Sequence, residues 1–279
     1  MDSHATRTLA TEPTGFGTPA GSSHAGSDRP RIWLVSELLG MQVVGTQGEK
    51  LGKIDDVVVH PGGHSSYAVL SIGGWLGMGD KLFAMPFTVF HALESNAIAK
   101  DEPLSLVLPL NKEQLLAAPG FDKDAWPNLA NPEWTLDVDR FYVGRTNPNQ
   151  PARDASLVPA PFSSLRATEL DGHSVKTLLD EKLGDLDEIA IDGRGRVRYA
   201  VLSVGGFLGM GEKLIAVPWD SLSFSANSGP GEARLITLAT TKPHLESAPQ
   251  YKAGAEHVWE MRDAGWIAGV YKHFDGTPR

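Results

Sequence analysis

Tyr67-Ala-Val-Leu-Ser-Ile-Gly-Gly-Trp-Leu-Gly-Met-Gly-Asp-Lys81 returns 132 residues later as Tyr199-Ala-Val-Leu-Ser-Val-Gly-Gly-Phe-Leu-Gly-Met-Gly-Glu-Lys213. The register holds without a gap from Lys50 to Pro86 against Lys182 to Pro218, with 20 identities in 37 positions. A second match, shifted by 130, sets Asn111–Phe121 against Thr241–Tyr251. Repetition at a long fixed period marks a duplicated structural unit, here roughly 85 residues or more.

Within a unit the pattern is one of short strands. Ile54–Val59 and Leu186–Ile191 are rich in β-branched residues and end at His60-Pro-Gly-Gly-His64 and Asp192-Gly-Arg-Gly-Arg196, both turn chemistry between apolar runs. Tyr67–Ile72 returns, Gly73-Gly74 ends it, and Lys81–Met85 extends again until Pro86 removes a backbone donor. Leu104–Leu108 and Arg234–Leu238 add later strands. Five or six short strands cannot hide both edges of an open sheet, so closure into a small barrel is expected. Asn111 and Thr241 are helix caps, and Gln114 completes a capping box with Asn111. The fold class expected is therefore mainly β: tandem small barrels, each followed by a short helix and an aromatic-rich tail. Trp259, Trp266, Val270 and Phe274 recur at spacings of seven, four and four, which predicts an amphipathic C-terminal helix.

Length and composition agree with two units. The chain has 279 residues, 41% apolar and 21% charged, about right for two globular domains. Its net charge of -9 disfavours nucleic-acid and anionic-membrane binding. The absence of cysteine excludes disulfides, thiolate metal sites and thiol nucleophiles. No run approaches the ~18 apolar residues of a membrane span. The first 30 residues lack the apolar core of a signal peptide, which leaves a cytoplasmic location as the expectation. Thr11–Pro30 reads as a disordered tail. The expected division is a tail over 1–30, a first barrel with its aromatic extension over 31–145, a Pro-rich linker over 146–165 and a second barrel with the C-terminal helix over 166–279.

The order Leu-Gly, acidic strand, Gly-containing turn, Tyr-Ala-Val-Leu-Ser, Gly-Gly-aromatic-Leu-Gly-Met-Gly, Lys-Leu and Pro-aromatic resembles the PRC-barrel family. The likeness covers Leu38–Tyr142 and Leu170 to about Phe274. The family takes its name from the cytoplasmic domain of the photosynthetic reaction-centre H subunit, and a related barrel forms half of a ribosome maturation factor. No membrane helix like the H subunit's and no N-terminal domain like the maturation factor's is read in the sequence, so the expectation is a likeness to the free-standing bacterial members. For them the resemblance implies a barrel adaptor without a defined reaction, often dimeric.

Candidate chemistry is sparse. The loop Gly74-Trp-Leu-Gly-Met-Gly79-Asp80-Lys81 fails as a phosphate loop, because Asp80 or Glu212 separates the last Gly from Lys and a strand follows. It reads instead as a wide hairpin that presents Trp75, Leu76 and Met78, or Phe207, Leu208 and Met210, as an interface. Folding back over the barrel mouth is the competing reading. Trp134, Tyr142, Trp266 and Phe274 are further interface candidates, packing on their own barrel or on its twin. Asp55-Asp56 and Asp187-Glu188 are adjacent on strands, so each pair points to opposite faces and cannot share one substrate atom. Asp55 with Lys81, and Asp187 with Lys213, are the expected structural ion pairs. His60 and His64 have metal-like spacing, but Pro-Gly-Gly between them precludes a helix, and no metal is expected. With no hydrolase, zincin or dinucleotide motif present, the expectation is a cofactor-free non-enzyme. It would act as an interaction or adaptor module of two barrels packed as an intramolecular pseudo-dimer, with an unknown protein partner and homodimerisation as a further option. The rival roles are an H-subunit-like modulator of electron or proton transfer at a photosynthetic or respiratory complex, and a ribosome- or RNA-associated barrel.

Overall fold

β-branched and aromatic residues fill the duplicated segments, and in the computed structural model they form strands joined by turns at the glycines. The structure describes residues 32–63, 66–73, 81–92, 105–129, 131–146, 164–205, 212–225, 235–252 and 260–274. The tail over 1–30, most of the 146–165 linker, His64, Trp259 and the loop residues Trp75, Leu76, Met78, Phe207, Leu208 and Met210 lie outside them.

The first copy contains β1 (Ile32–Leu34), α1 (Val35–Leu38), β2 (Gln42–Val44), β3 (Lys50–Val59), β4 (Ser66–Ile72), β5 (Lys81–Pro86), β6 (His91–Ala92), β7 (Ser105–Val107), α2 (Lys112–Leu116), β8 (Gly120–Asp122) and α3 (Pro132–Thr146). The second repeats this with β9 (Leu165–Arg166), α4 (Ala167–Leu170), β10 (Ser174–Lys176), β11 (Lys182–Asp192), β12 (Val197–Val204), β13 (Lys213–Pro218), β14 (Leu222–Phe224), β15 (Ile236–Leu238), α5 (Lys242–Glu246), β16 (Gln250–Tyr251) and α6 (Ala264–His273). The protein is mainly β, as expected. Each copy is a curled sheet, ordered β6-β7-β2-β3-β4-β5-β8 and β14-β15-β10-β11-β12-β13-β16. All neighbours are antiparallel except β2 with β7 and β10 with β15. Gly52 and Gly184 sit where the long strand crosses its hairpin partner, and a Cβ there would press into the carbonyl oxygen of Ser71 or Ser203.

The copies exchange their entry strands. β1 pairs with β11 of the second copy, Trp33 opposite Ile191 and Leu34 opposite Ala190. β9 pairs with β3 of the first, Leu165 opposite Val59 and Arg166 opposite Val58. Under the 132-residue offset the two pairings are the same contact made twice, the reciprocity of an isologous interface. One apolar core runs through the seam, holding Trp33, Val35 and Leu38 with Leu165, Ala167 and Leu170.

Asn111 and Thr241 cap their helices as the sequence predicts. Asn111 Oδ1 accepts the Gln114 N–H at 2.9 Å while Gln114 Oε1 accepts that of Asn111 at 3.0 Å. Asp263 Oδ1 caps α6 through the Trp266 N–H at 2.9 Å. α3 and α6 lie on their own sheets: Trp134 packs on Tyr67 with ring centres 5.7 Å apart, and Trp266 on Tyr199 at 5.4 Å. α6 carries Trp266 and Val270, with Phe274 at its C-cap.

Candidate functional site

A β-bulge sets the chemistry of the seam. In β3 the register against β4 slips between Ile54 and Asp56, and in β11 the register against β12 slips between Leu186 and Glu188. Asp55 and Asp187 are the extra residues, so alternation reverses at that point. Asp56 is fully buried, not Asp55. The expected ion pairs do not form: among the described residues no salt bridge joins Asp55 to Lys81 or Asp187 to Lys213. Both lysines are exposed, and the carboxylates that reach across the seam are their neighbours Asp56 and Glu188.

Asp56 meets a complete set of donors. Its Oδ2 accepts the Arg166 Nε–H at 2.8 Å and the Thr168 hydroxyl at 2.6 Å, and its Oδ1 accepts the N–H of Val57 at 2.8 Å and of Thr168 at 3.3 Å. The Arg166 guanidinium lies over the Trp126 ring, 4.0 Å from its centre, and also reaches Glu169. A buried charge held this way is satisfied by charge-assisted bonds rather than poised for reaction.

Glu188 is the counterpart, and its surroundings differ. Leu34 stands in the place of Arg166, and Ser36 in that of Thr168. The Glu188 Oε1 accepts the N–H of Ile189 at 2.8 Å and of Ser36 at 3.3 Å. Burial pushes its carboxyl up, those hydrogen bonds oppose the shift, and the nearby charge of Asp187 adds to it. Asp187 is itself raised, first by desolvation and then by Glu212 and Asp171. These carboxylates edge a cavity of about 140 Å³ between α1, α4 and β11.

At the other end of the seam the hairpin turns meet. The Trp219 indole N–H donates to the Pro61 carbonyl at 2.8 Å, and the Val197 N–H donates to the Gly63 carbonyl at 3.0 Å. Gly63 has φ of +69° and faces the Trp219 ring, so a side chain there meets both strain and a clash. The turns close by local capping: Asp192 Oδ1 accepts the N–H groups of Arg194 and Arg196, and His60 Nδ1 accepts that of Gly62. His60 is thereby a turn residue.

Of the aromatic interface candidates, Tyr142 is fully buried, and Trp134, Trp266 and Phe274 are half-buried against the core clusters. Arg166 and Thr168 were not singled out in the sequence. The available signal was the offset itself, which continues upstream to align Trp33-Leu34-Val35-Ser36 with Leu165-Arg166-Ala167-Thr168.

Among the described residues, no cluster of three or more metal-ligating side chains occurs, and no helix is long and apolar enough to cross a membrane. No curated protein is similar enough to count as a match. The model of the PRC-barrel domain matches residues 33–101 and again 163–235, together just over half of the chain, and both segments begin at the exchanged strands. The chain belongs to the PRC-barrel family and carries two copies of its domain in tandem.

Proposed function

We propose that this chain is a non-catalytic interaction module, an intramolecular pseudo-dimer whose two barrels form one platform for a protein partner. The observation that carries the reading is the tip of the β10–β11 turn, where Leu178 is 71% and Leu179 92% exposed. Leucines in water contribute nothing to the core, and the first copy places Thr46 and Gln47 at the same positions. The tip is held in shape, since the Thr177 hydroxyl accepts the N–H groups of Leu179 at 3.2 Å and Glu181 at 3.1 Å. A pre-ordered apolar pair loses little entropy on contact, which favours recognition.

The test uses the full chain as bait in an extract of its source cells, read by quantitative mass spectrometry beside the double variant Leu178→Thr, Leu179→Gln. The expected outcome is a protein enriched by the native chain and about tenfold less by the variant, at an unchanged melting temperature. Equal enrichment by both baits, or none by either, removes the support for an adaptor.

A further inference from the structure

The internal repeat offers a control that a single-copy protein lacks. The same bulged carboxylate position is occupied twice, and in the first copy a guanidinium completes it: Arg166 lies on Asp56 at 2.8 Å with Thr168 beside it. In the second copy Leu34 provides no such group, and Glu188 and Ser36 line the cavity of about 140 Å³. We propose that this cavity is a binding site for a guanidinium group, with Glu188 as its anchoring carboxylate, the ligand supplying to Glu188 what Arg166 supplies to Asp56.

Size, wall and charge agree with that ligand. The cavity of about 140 Å³ is open to solvent on one side, so a planar guanidinium can enter it while its alkyl stem leads outward. Val35, Leu39, Ala167 and Ile189 make apolar walls against which a flat, weakly hydrated cation can lie. The polar part of the lining is Ser36, Thr168, Asp171, Asp187 and Glu188. Among the described residues none of these three carboxylates has a salt-bridge partner. Burial and like charge hold Glu188 and Asp187 above their ordinary range, and a cation that enters offsets both causes by favouring the ionised forms. The net charge of -9 draws cations toward the molecule.

Titration calorimetry of the full chain near neutral pH tests it with methylguanidine, N-acetyl-arginine amide and the neutral isostere N-acetyl-citrulline amide. Both guanidinium probes are expected to bind, with the citrulline probe at least about tenfold weaker. Glu188→Gln is expected to reduce binding by at least about tenfold without lowering the melting temperature, whereas Asp137→Asn, a surface control, leaves it unchanged. Binding of methylguanidine but not of the arginine amide identifies a free small molecule as the source. Binding of both admits an arginine side chain of another protein. Leu34→Arg, which copies the first repeat, is expected to abolish binding by pairing Glu188 with a cation of the chain itself, as Arg166 pairs Asp56. Citrulline-like affinity for the guanidinium probes, or native affinity in Glu188→Gln, overturns the proposal whether or not the Leu34 variant folds.

Discussion

The two ends of the strand exchange use one backbone and two chemistries. At β3 a buried Asp56 is neutralised by Arg166, which Trp126 holds from the other side. At β11 the equivalent Glu188 is only half-buried and accepts backbone N–H groups beside an open cavity. The difference separates what the architecture requires from what it permits. Both copies keep the bulge, the exchanged strand and the one-turn helix, so those belong to the fold. A guanidinium on the carboxylate occurs in one copy, so pairing of the backbone does not depend on it.

The largest effect is expected from separating the copies. A fragment of residues 31–145 loses the partner strand of β3 and leaves β1 without β11, exposing edges and core together. It should self-associate or aggregate, which size-exclusion chromatography with light scattering reads directly. A stable monomer without exposed apolar surface would remove the seam from the list of folding determinants.

Next is the carboxylate comparison itself. Arg166→Leu copies the second repeat into the first but leaves Asp56 buried without its cation, a change that costs about 3–5 kcal/mol in denaturant unfolding. Glu188→Gln is expected to be neutral or stabilising at pH 7. A carboxyl raised in the folded state is most favourable to folding where it is protonated in both states, below its ordinary 4.5, and that contribution is lost as pH rises through the folded value. The variant should therefore flatten the decline in stability that begins near pH 4.5. Equal losses in both variants would mean that the two ends are energetically alike.

At the turn end, Trp219→Phe copies Phe87 of the first unit and removes the indole donor to Pro61. Leaving that buried carbonyl unmet costs about 1–3 kcal/mol by thermal or chemical unfolding. Tyr67 and Tyr199 make a finer comparison. The Tyr67 hydroxyl donates to Asp139 at 3.1 Å, whereas the buried Tyr199 hydroxyl has no hydrogen-bond partner among the described residues. Tyr67→Phe should cost about 1 kcal/mol and Tyr199→Phe close to nothing, so a reversed order in unfolding experiments would mean that the Tyr67–Asp139 bond does not stabilise the fold. The smallest change concerns Asp180, at φ of 67° where the first copy has Gly48 at 79°. Asp180→Gly should gain about 0.5–1 kcal/mol from relief of that conformation, less the exposed Lys176 pair at 2.7 Å, with a slightly higher melting temperature as the readout. No gain would indicate that the aspartate is fully accommodated there.

Repetition was the most legible property of the chain. The offset of 132 and the β-branched runs locate β3, β4 and β5 and their counterparts, and Asn111 with Gln114 locates α2. The short strands β1 and β9 were not legible, because two or three residues carry no measurable alternation. The candidate site failed for a related reason. Alternation assigns Asp55 to the face of Val57, and one inserted residue reverses that, so the structural partners became Asp56 and Arg166 instead of Asp55 and Lys81.

Local composition and periodicity determined that this chain forms two β-rich copies of one unit, because strand, turn and cap preferences act over a few neighbouring residues. Which copy each entry strand joins, which carboxylate is buried and where a cavity opens were decided by tertiary structure. Arg166 lies 110 residues from Asp56, and Ser36 lies 152 from Glu188. Contacts at such separations depend on a bulge and a shared seam that exist only once both copies are assembled.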